Sequence, residues 1–160
     1  MYTIKSTCLT IFVILISIVV INAQTNPSLH LSLVNAERAR VGLKPLLLSP
    51  CLMASAQVQS NYQSSINTMT HSSPLGGLFE RTRPFGVACN SVAENVAYGY
   101  KDDASVMKGW MNSSGHRANI LGQFTLFGVA VSKDNNGDLY WTQQFARGTC
   151  NRNNSTAPAN

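Results

Sequence analysis

The segment from Trp110 to Leu121 constrains this chain most, because it combines a helix end, a histidine and a new short helix within twelve residues. Gly115 is typical of a residue that ends a helix, and His116 follows it directly. Two residues of the same chemical kind lie upstream, His71 in a Ser/Thr-rich stretch and Glu94 in an alternating one. Two imidazoles and one carboxylate from three separated segments converge only in a folded cavity, so we predict one site that contains all three.

The N-terminal segment is predicted to be a secretory signal peptide. Lys5 precedes an almost wholly apolar run at 9–21, which is short for a membrane-spanning helix of about 20 residues. The small Ala23 suits cleavage before Gln24. The alternative is a retained N-terminal anchor, which we disfavour because no basic stop-transfer cluster follows the run. We therefore expect a signal peptide at 1–23 and a secreted, extracellular protein without a transmembrane anchor in its mature form.

The remaining chain has the length of one domain, since domains most often contain about 100–150 residues. We place this domain at 24–150 and a disordered polar tail at 151–160. Loss of Lys5 lowers the formal net charge by one, from +5 to +4. No run of five or more Lys and Arg residues occurs, so we expect no nucleic-acid partner. The modest positive charge serves solubility and favours encounters with anionic walls or membranes. We expect a monomer.

The cysteines predict one disulfide and one leftover thiol. Cys8 belongs to the signal peptide, so the mature chain keeps Cys51, Cys89 and Cys150, and exported thiols usually pair. The sequence permits any of the three pairings. We favour Cys51 with Cys89, because that bond would tie the second predicted helix to the segment before Glu94. No Cys-x-x-Cys spacing occurs, so a zinc site made of cysteines is not expected.

The first half of the domain is predicted to contain three helices. The first has apolar residues at helical spacing and ends at Gly42. Its apolar residues are Leu29, Leu33, Ala36 and Val41. Ser49 then caps a second helix with Pro50 in its first turn, and this helix ends near 62–65. A third, short helix at 75–83 is broken by the following proline and glycine.

The second half is predicted to be mainly β-structure. The alternating, Val-, Ala- and Tyr-rich segment 91–100 suits a strand. Aspartates at 102–103 open another helix, since negative charge complements a helix N-terminus. Segments 124–132 and 139–145 flank an Asn136-Gly137 pair, which is a strong hairpin signal. We interpret the two tryptophans as core residues; the alternative is that one of them faces a sterol.

Three Asn-x-Ser/Thr sequons occur, at Asn112, Asn153 and Asn154. We favour use of Asn153 and Asn154 in the tail, because Asn112 lies beside the predicted cavity. The neighbouring Ser113 lacks the Gly-x-Ser-x-Gly turn of a hydrolase nucleophile. A catalytic role for Cys89 is not expected either, because a disulfide would make that thiol inert.

In order along the chain, several motifs between about residues 29 and 145 resemble the CAP superfamily, also called the SCP or pathogenesis-related-1-like family. The resemblance is to its compact branch, which is common in bacteria and fungi. The motifs are Val34–Arg38 with Gly42–Leu46, His71, Ala93–Gly99, Trp110–Leu121 and Tyr140–Gln143. The resemblance implies an α+β fold, a three-layer α-β-α sandwich with a central antiparallel sheet.

The resemblance also implies a central cavity. In larger members of the family, two histidines and two glutamates line it, and some members bind a divalent metal there. His71 and Glu94 match one residue of each kind, whereas Ser113 stands at the position of the second glutamate and Tyr140 at that of the second histidine. With His116 from the Gly-His-Arg motif, these residues form the predicted ligand-binding cavity.

Zinc is the one cofactor that this site suggests. His71, Glu94 and His116 offer two nitrogen ligands and one oxygen ligand, which suit zinc with one position open to water. The alternative is that no cofactor binds and each residue holds the fold. A buried Glu94 must then find hydrogen-bond donors, His71 pairs with it, and His116 bonds a neighbouring carbonyl.

Three hypotheses for the function follow. The leading one is a secreted, non-enzymatic binder of small apolar ligands such as sterols or fatty acids, or of an extracellular partner surface, in host interaction or defence; this setting is implied by the resemblance alone. The second is a metal-dependent hydrolase that uses His71 and His116, with Glu94 as a ligand or the general base. The third is a structural or wall-associated module. Co-purified lipid would favour the first and zinc the second.

Overall fold

The computed structural model describes residues 25–151. The predicted signal peptide with Cys8 lies outside the described residues, and so do the tail sequons at Asn153 and Asn154. Within the described part, no helix is both long and apolar enough to span a membrane.

The described residues form five α-helices around a four-stranded sheet, which confirms the predicted α+β class. The helices are α1 (Pro27–Arg40), α2 (Pro50–Ser65), α3 (Leu78–Thr82), α4 (Asp103–Asn112) and α5 (Ser114–Ile120). The strands are β1 (Leu47–Leu48), β2 (Val87–Tyr98), β3 (Leu126–Lys133) and β4 (Leu139–Cys150). The sheet order is β1-β3-β4-β2. Strands β3, β4 and β2 are antiparallel as predicted, whereas the short β1 joins β3 in parallel.

Strand β4 separates two helical layers, because alternate side chains of a strand point to opposite faces. Trp141 and Phe145 face a core cluster with residues of α1, α4 and α5, including Val34 and Trp110. Ala146 faces a second cluster with Leu52 of α2. The result is the three-layer sandwich, with helices on both faces of the sheet.

Helix α1 has the predicted extent but a different buried face. Its buried residues are His30, Val34 and Arg38, whereas Leu29 and Val41 are 49% and 56% exposed. Of the predicted apolar residues, Leu33 does pack against the core cluster, but the fully buried face is that of His30, Val34 and Arg38. Two polar side chains lie inward because they have buried partners: His30 bonds Asp103, and Arg38 donates to backbone carbonyls.

Helix α2 begins as predicted and lies directly on the sheet. The Ser49 hydroxyl accepts a hydrogen bond from the Leu52 N–H, and Pro50 occupies the first turn. A Cβ atom at Gly128 of β3 would overlap the backbone of Leu52 and Met53. Glycine is therefore required there, since any side chain would push α2 away from the sheet.

The segment Trp110–Leu121 bends at Ser113, two residues before the predicted helix end at Gly115. Ser113 has extended backbone angles, φ −98° and ψ 124°, and separates α4 from α5. Gly115 lies inside α5 and does not have a positive φ, so the prediction that it ends a helix is wrong. His116 is consequently part of α5 rather than the residue before it.

The disulfide joins Cys51 to Cys150, with the Cα atoms 5.7 Å apart, and Cys89 is a free, half-buried thiol. The predicted Cys51–Cys89 bond is therefore wrong. Cys89 and Cys150 both pack against the cluster that contains Cys51, so position in the sequence does not distinguish the two candidate partners; the bond is to Cys150 at the end of β4. The first turn of α2 thus meets the end of β4.

We expect a Cys51→Ala/Cys150→Ala variant to lose about 2–5 kcal/mol of unfolding free energy, because the bond closes a long loop across a sequence separation of 99 residues. Cys89→Ala should cost about 1 kcal/mol or less, since it removes one half-buried sulfur. Urea unfolding of the three proteins measures both effects. A larger loss in Cys89→Ala than in the double variant would contradict this assignment.

Candidate functional site

Glu94 in the middle of β2 is a buried carboxylate with four hydrogen bonds. Its side chain is 2% exposed. Oε1 accepts from His71 Nδ1 at 2.9 Å and from Arg81 Nη2 at 3.1 Å, and Oε2 accepts from Arg81 Nη1 at 3.0 Å and Gln144 Nε2 at 2.9 Å. Burial raises the pKa of Glu94, but the hydrogen bonds from His71 and Arg81 and the charge of Arg81 outweigh it, so the net pKa is lowered.

Arg81 is the residue that the sequence interpretation missed. Its guanidinium is buried and pairs with both oxygens of Glu94, while Nη1 also donates to Gln59 Oε1 at 2.7 Å. Gln59 in turn donates to the carbonyls of Thr70 and Ser72. Arg81 thereby connects α3, α2 and the loop that carries His71. The available signal was that a buried carboxylate needs a cation, but the chain has several arginines and nothing local selects this one.

The two predicted site histidines differ in environment. The His71 side chain is 59% exposed, and its Nδ1–Glu94 contact fixes the ring. His116 is half-buried; burial, and then the charge of His71, lower the pKa of His116. His116 also contributes its backbone carbonyl, which accepts from Asn95 Nδ2 at 3.2 Å. The structure thus brings Glu94 and His71 into contact and places His116 within their electrostatic reach.

This set does not fit the zinc site predicted from His71, Glu94 and His116. Both oxygens of Glu94 already accept two hydrogen bonds each, which uses the acceptor capacity of a carboxylate. Arg81 already supplies the positive charge, and a metal on Glu94 would leave that buried guanidinium unpaired. Across residues 25–151, no group of three or more His, Cys, Asp or Glu side chains is placed to hold a metal ion.

A groove of about 360 Å³ lies between β2 and the junction of α4 with α5. We call it the edge groove. Its apolar and aromatic lining consists of Met69, Val96, Ala97, Tyr98, Tyr100 and Trp110. Its polar lining includes Ser113 and His116, two of the predicted cavity residues. Glu94 is on the same strand two residues before Val96, so the His71–Glu94 pair lies next to the groove in the fold.

Tyr140, the fifth predicted cavity residue, does not line the edge groove. It is buried opposite Tyr98 on the neighbouring strand, with the two rings 4.8 Å apart. Burial, followed by the charges of Asp134 and Asp138, raises the pKa of Tyr140. Tyr140 therefore belongs to the hairpin end of the sheet and contacts the groove lining through the ring of Tyr98.

The edge groove runs along an edge strand whose backbone is partly capped by side chains. Strand β2 ends the sheet, so its outward carbonyls need partners other than a strand. Trp110 Nε1 donates to the Val96 carbonyl at 3.1 Å, and Asn119 Nδ2 donates to the Glu94 carbonyl at 3.2 Å. These two bonds fix α4 and α5 against β2 and so define one wall of the groove.

Behind this wall lies a buried polar chain that the sequence interpretation also missed. His30 is fully buried, and its Nδ1 is 2.7 Å from Asp103 Oδ1. Gln143 Nε2 is 2.7 Å from His30 Nε2; because an amide nitrogen only donates, Nε2 is the acceptor and Nδ1 carries the proton. Asn95 donates to Gln143 Oε1, and Asn119 donates to Asn95 Oδ1. This chain connects α1 and α4 to the helix that carries His116.

Arg81→Gln should lower the unfolding free energy by about 3–5 kcal/mol, because it leaves the buried Glu94 charge without its cation. The matched control is Arg40→Gln, which breaks the surface pair with Glu37 and should cost about 1 kcal/mol or less. Denaturant unfolding of Arg81→Gln and Arg40→Gln measures the two losses. Glu94→Gln and Arg81→Gln/Glu94→Gln complete a double-mutant cycle, which measures the coupling between Arg81 and Glu94. Equal losses of unfolding free energy in Arg81→Gln and Arg40→Gln would contradict the role given to Arg81.

Folding lowers the pKa of Glu94 and of Asp103; for Asp103, the hydrogen bonds from His30, Thr25 and Asn26 outweigh burial. Both carboxylates therefore stabilise the fold at neutral pH, and this contribution is lost as the pH falls through their folded-state pKa values, below the ordinary values of about 3.9–4.3. We expect the unfolding free energy of Glu94→Gln and of Asp103→Asn to decrease less steeply than that of the wild type as the pH is lowered. Slopes unchanged from wild type would refute this linkage.

Comparison with known proteins gives a consistent assignment. The family model described as CAP, the cysteine-rich secretory protein family, matches residues 31–145. The uncharacterized protein YkwD of Bacillus subtilis is 43% identical over 115 residues, which is 71% of this chain and 44% of YkwD. The uncharacterized membrane protein YlbC of the same organism is 32% identical over 119 residues, 73% of this chain and 33% of YlbC. The chain thus matches less than half of each relative.

Solved structures show the same fold. An extracellular, SCP domain-containing protein from Bacillus anthracis superimposes with a TM-score of 0.70 at 33% identity, covering 76% of this chain and 40% of that one. An outer surface protein from Borrelia burgdorferi gives a TM-score of 0.68 at 18% identity, covering 76% of this chain and 92% of that one. The second likeness concerns the fold alone.

Proposed function

Because the chain belongs to the CAP family, the cysteine-rich secretory protein family, we propose that it is a secreted, non-enzymatic domain that binds a small apolar ligand in the edge groove. The ligand class is a sterol or a fatty acid. The observation that carries this proposal is the groove itself, which joins an almost continuous apolar lining to two polar residues. Such a combination is typical of small-molecule sites.

The groove offers both affinity and orientation. Met69 and Tyr98 lie at its rim as exposed apolar residues, and covering such surface contributes on the order of 25 cal/mol per Å². Ser113 and His116 supply hydrogen bonds for a ligand hydroxyl or carboxyl group. The lowered pKa of His116 keeps its imidazole neutral near pH 7, so it presents one donor and one acceptor.

The chemistry of the neighbouring residues supports binding rather than catalysis. Arg81 saturates Glu94, which removes the free carboxylate that a metal-dependent hydrolase would use as a ligand or general base. Within the described residues, no hydrogen bond joins the Ser113 hydroxyl to a histidine, so an activated serine is not assembled either. We extend the proposal to host interaction or defence only through the family resemblance.

The test compares Ser113→Glu with Asn112→Glu. Ser113 lines the edge groove, whereas the adjacent, exposed Asn112 does not; both changes add one carboxylate at the end of α4. With cholesterol and palmitate as probes, we expect Ser113→Glu to weaken binding about tenfold or more, equivalent to about 1.4 kcal/mol, and Asn112→Glu to leave it unchanged.

Tryptophan fluorescence reports binding, because Trp110 lines the groove. Met69→Ala serves as a second variant: it removes one exposed rim contact without opening the core, and should weaken binding in proportion to the lost area. Saturable binding of one probe identifies the ligand class. Binding that Ser113→Glu and Met69→Ala leave intact would place the ligand elsewhere, and no binding of either probe would refute the proposal.

A further inference from the structure

A second cavity, which we call the basic pocket, has a volume of about 500 Å³. It is bounded by the turn after α1, strand β1 and the segment before β3. Its charged lining residues are Arg38, Lys44 and Arg147, and in the described part of the chain no acidic side chain lines it. The edge groove has a different lining and a different place in the fold, so the two cavities are separate.

Arg38 provides a fixed positive charge in the wall of the basic pocket. The residue is 2% exposed. Nε donates to the Lys44 carbonyl at 3.0 Å, and Nη1 donates to the carbonyls of Ile120 at 2.9 Å and Gly122 at 2.7 Å. Burial lowers the pKa of Arg38, but an arginine remains protonated in proteins. These partners are neutral carbonyls, so the charge of Arg38 is not cancelled by a carboxylate.

Lys44 and Arg147 add two more cations. Arg147 Nε donates to the Gln123 carbonyl at 2.9 Å, which orients the guanidinium, and within residues 25–151 neither of its Nη groups makes a hydrogen bond. The four ion pairs found among residues 25–151 involve neither Lys44 nor Arg147. Three like charges without a carboxylate raise the local positive potential and attract an anion.

The uncharged part of the lining combines apolar side chains with the polar Gln123 and Thr125. Leu43, Leu47 and Phe124 line the basic pocket, and Leu47 is 66% exposed although it lies in a strand. An inorganic ion alone would leave this surface uncovered. The volume lies within the range of about 300–1,000 Å³ that is usual for small-molecule sites.

We propose that the basic pocket binds a small organic anion: a carboxylate or phosphate group attached to a short apolar substituent. The anionic group lies between Lys44 and the free Nη groups of Arg147, which form two parallel hydrogen bonds to either kind of oxyanion. The apolar substituent covers Leu47 and Phe124. This site is independent of the edge groove and of its proposed ligand.

The experiment is a titration of the isotope-labelled protein, followed by amide NMR shifts. The probes are hexanoate and hexyl phosphate, with hexanol and hexylammonium as uncharged and cationic matches. We expect saturable shifts at Gly42, Leu43 and Gln123 with the two anions, and no saturable shifts there with the other two. Anion binding should weaken as salt is raised, since salt screens partly exposed charges.

Variants identify the residues that bind. Lys44→Gln removes a charge whose side chain makes no hydrogen bond in the described fold, so it should weaken anion binding about fivefold or more without loss of stability. Arg147→Ala should weaken it further, and Arg147→Lys should restore part of the affinity by returning the charge. Lys133→Gln, an exposed cation on another part of the sheet, is the matched control and should have no effect.

Vesicles that contain phosphatidylglycerol distinguish a lipid headgroup from a free anion. Vesicle binding that depends on Lys44 assigns the headgroup, and binding to hexyl phosphate alone assigns a free anion. Shifts confined to Val96 and Tyr98 would mean that the probes enter only the edge groove, which would overturn the present inference and leave the proposed function standing. Equal shifts with hexylammonium, or indifference to both Lys44→Gln and Arg147→Ala, would also overturn it.

Discussion

A carboxylate buried in a sheet must be neutralised, and the neutralisation of Glu94 is the constraint on which much of this structure depends. Its four donors come from α3, from strand β4 and from the loop that carries His71. The short α3 could not be stable alone, and it is held in place because Arg81 pairs with Glu94. Gln59 extends the same set of bonds to the loop before α3. One charge therefore orders three segments that are distant in sequence.

Strand β2 lies at the edge of the sheet, so its outward carbonyls also need hydrogen-bond donors. This requirement positions α4 and α5. Trp110 and Asn119 meet the carbonyls of Val96 and Glu94, while Asn95 connects the strand to the buried chain that begins at His30. The edge groove is the space left where these caps stop, beside Val96 and Tyr98. The shape of the edge groove is thus set on one side by the side chains that bond to the edge of β2, and behind it by the buried polar chain that begins at His30. Ligand binding in the groove would use surface that the fold cannot bury by itself.

How far the sequence predicts this structure depends on whether each signal is local. The Ser49-Pro50 cap, the aspartates that open α4 and the Asn136-Gly137 hairpin act within a few residues, and these elements form where predicted. The buried face of α1 was predicted wrongly because His30 and Arg38 lie inward for partners 73 and 82 residues away. The predicted Cys51–Cys89 bond was also wrong, because both Cys89 and Cys150 pack against the cluster of Cys51 and no local signal distinguishes them. The pairing of His71 with Glu94, one of the two alternatives weighed, is what the structure shows, whereas Arg81 had no local signal.

Two positions at which this chain departs from the larger family members, Ser113 and Tyr140, can be understood together with the buried cation Arg81. The four-ligand site that the resemblance implies would need a carboxylate at position 113 and an imidazole at position 140. This chain has the hydroxyl of Ser113 in an apolar groove and the phenol of Tyr140 packed on Tyr98. Without those two ligands, His71 and Glu94 remain of the four residues that the resemblance implies, and without a metal the buried Glu94 needs another counter-charge. Arg81 provides that charge as part of the chain. The edge groove beside this pair carries the Ser113 hydroxyl among mainly apolar and aromatic side chains, and the proposal of an apolar ligand rests on this lining.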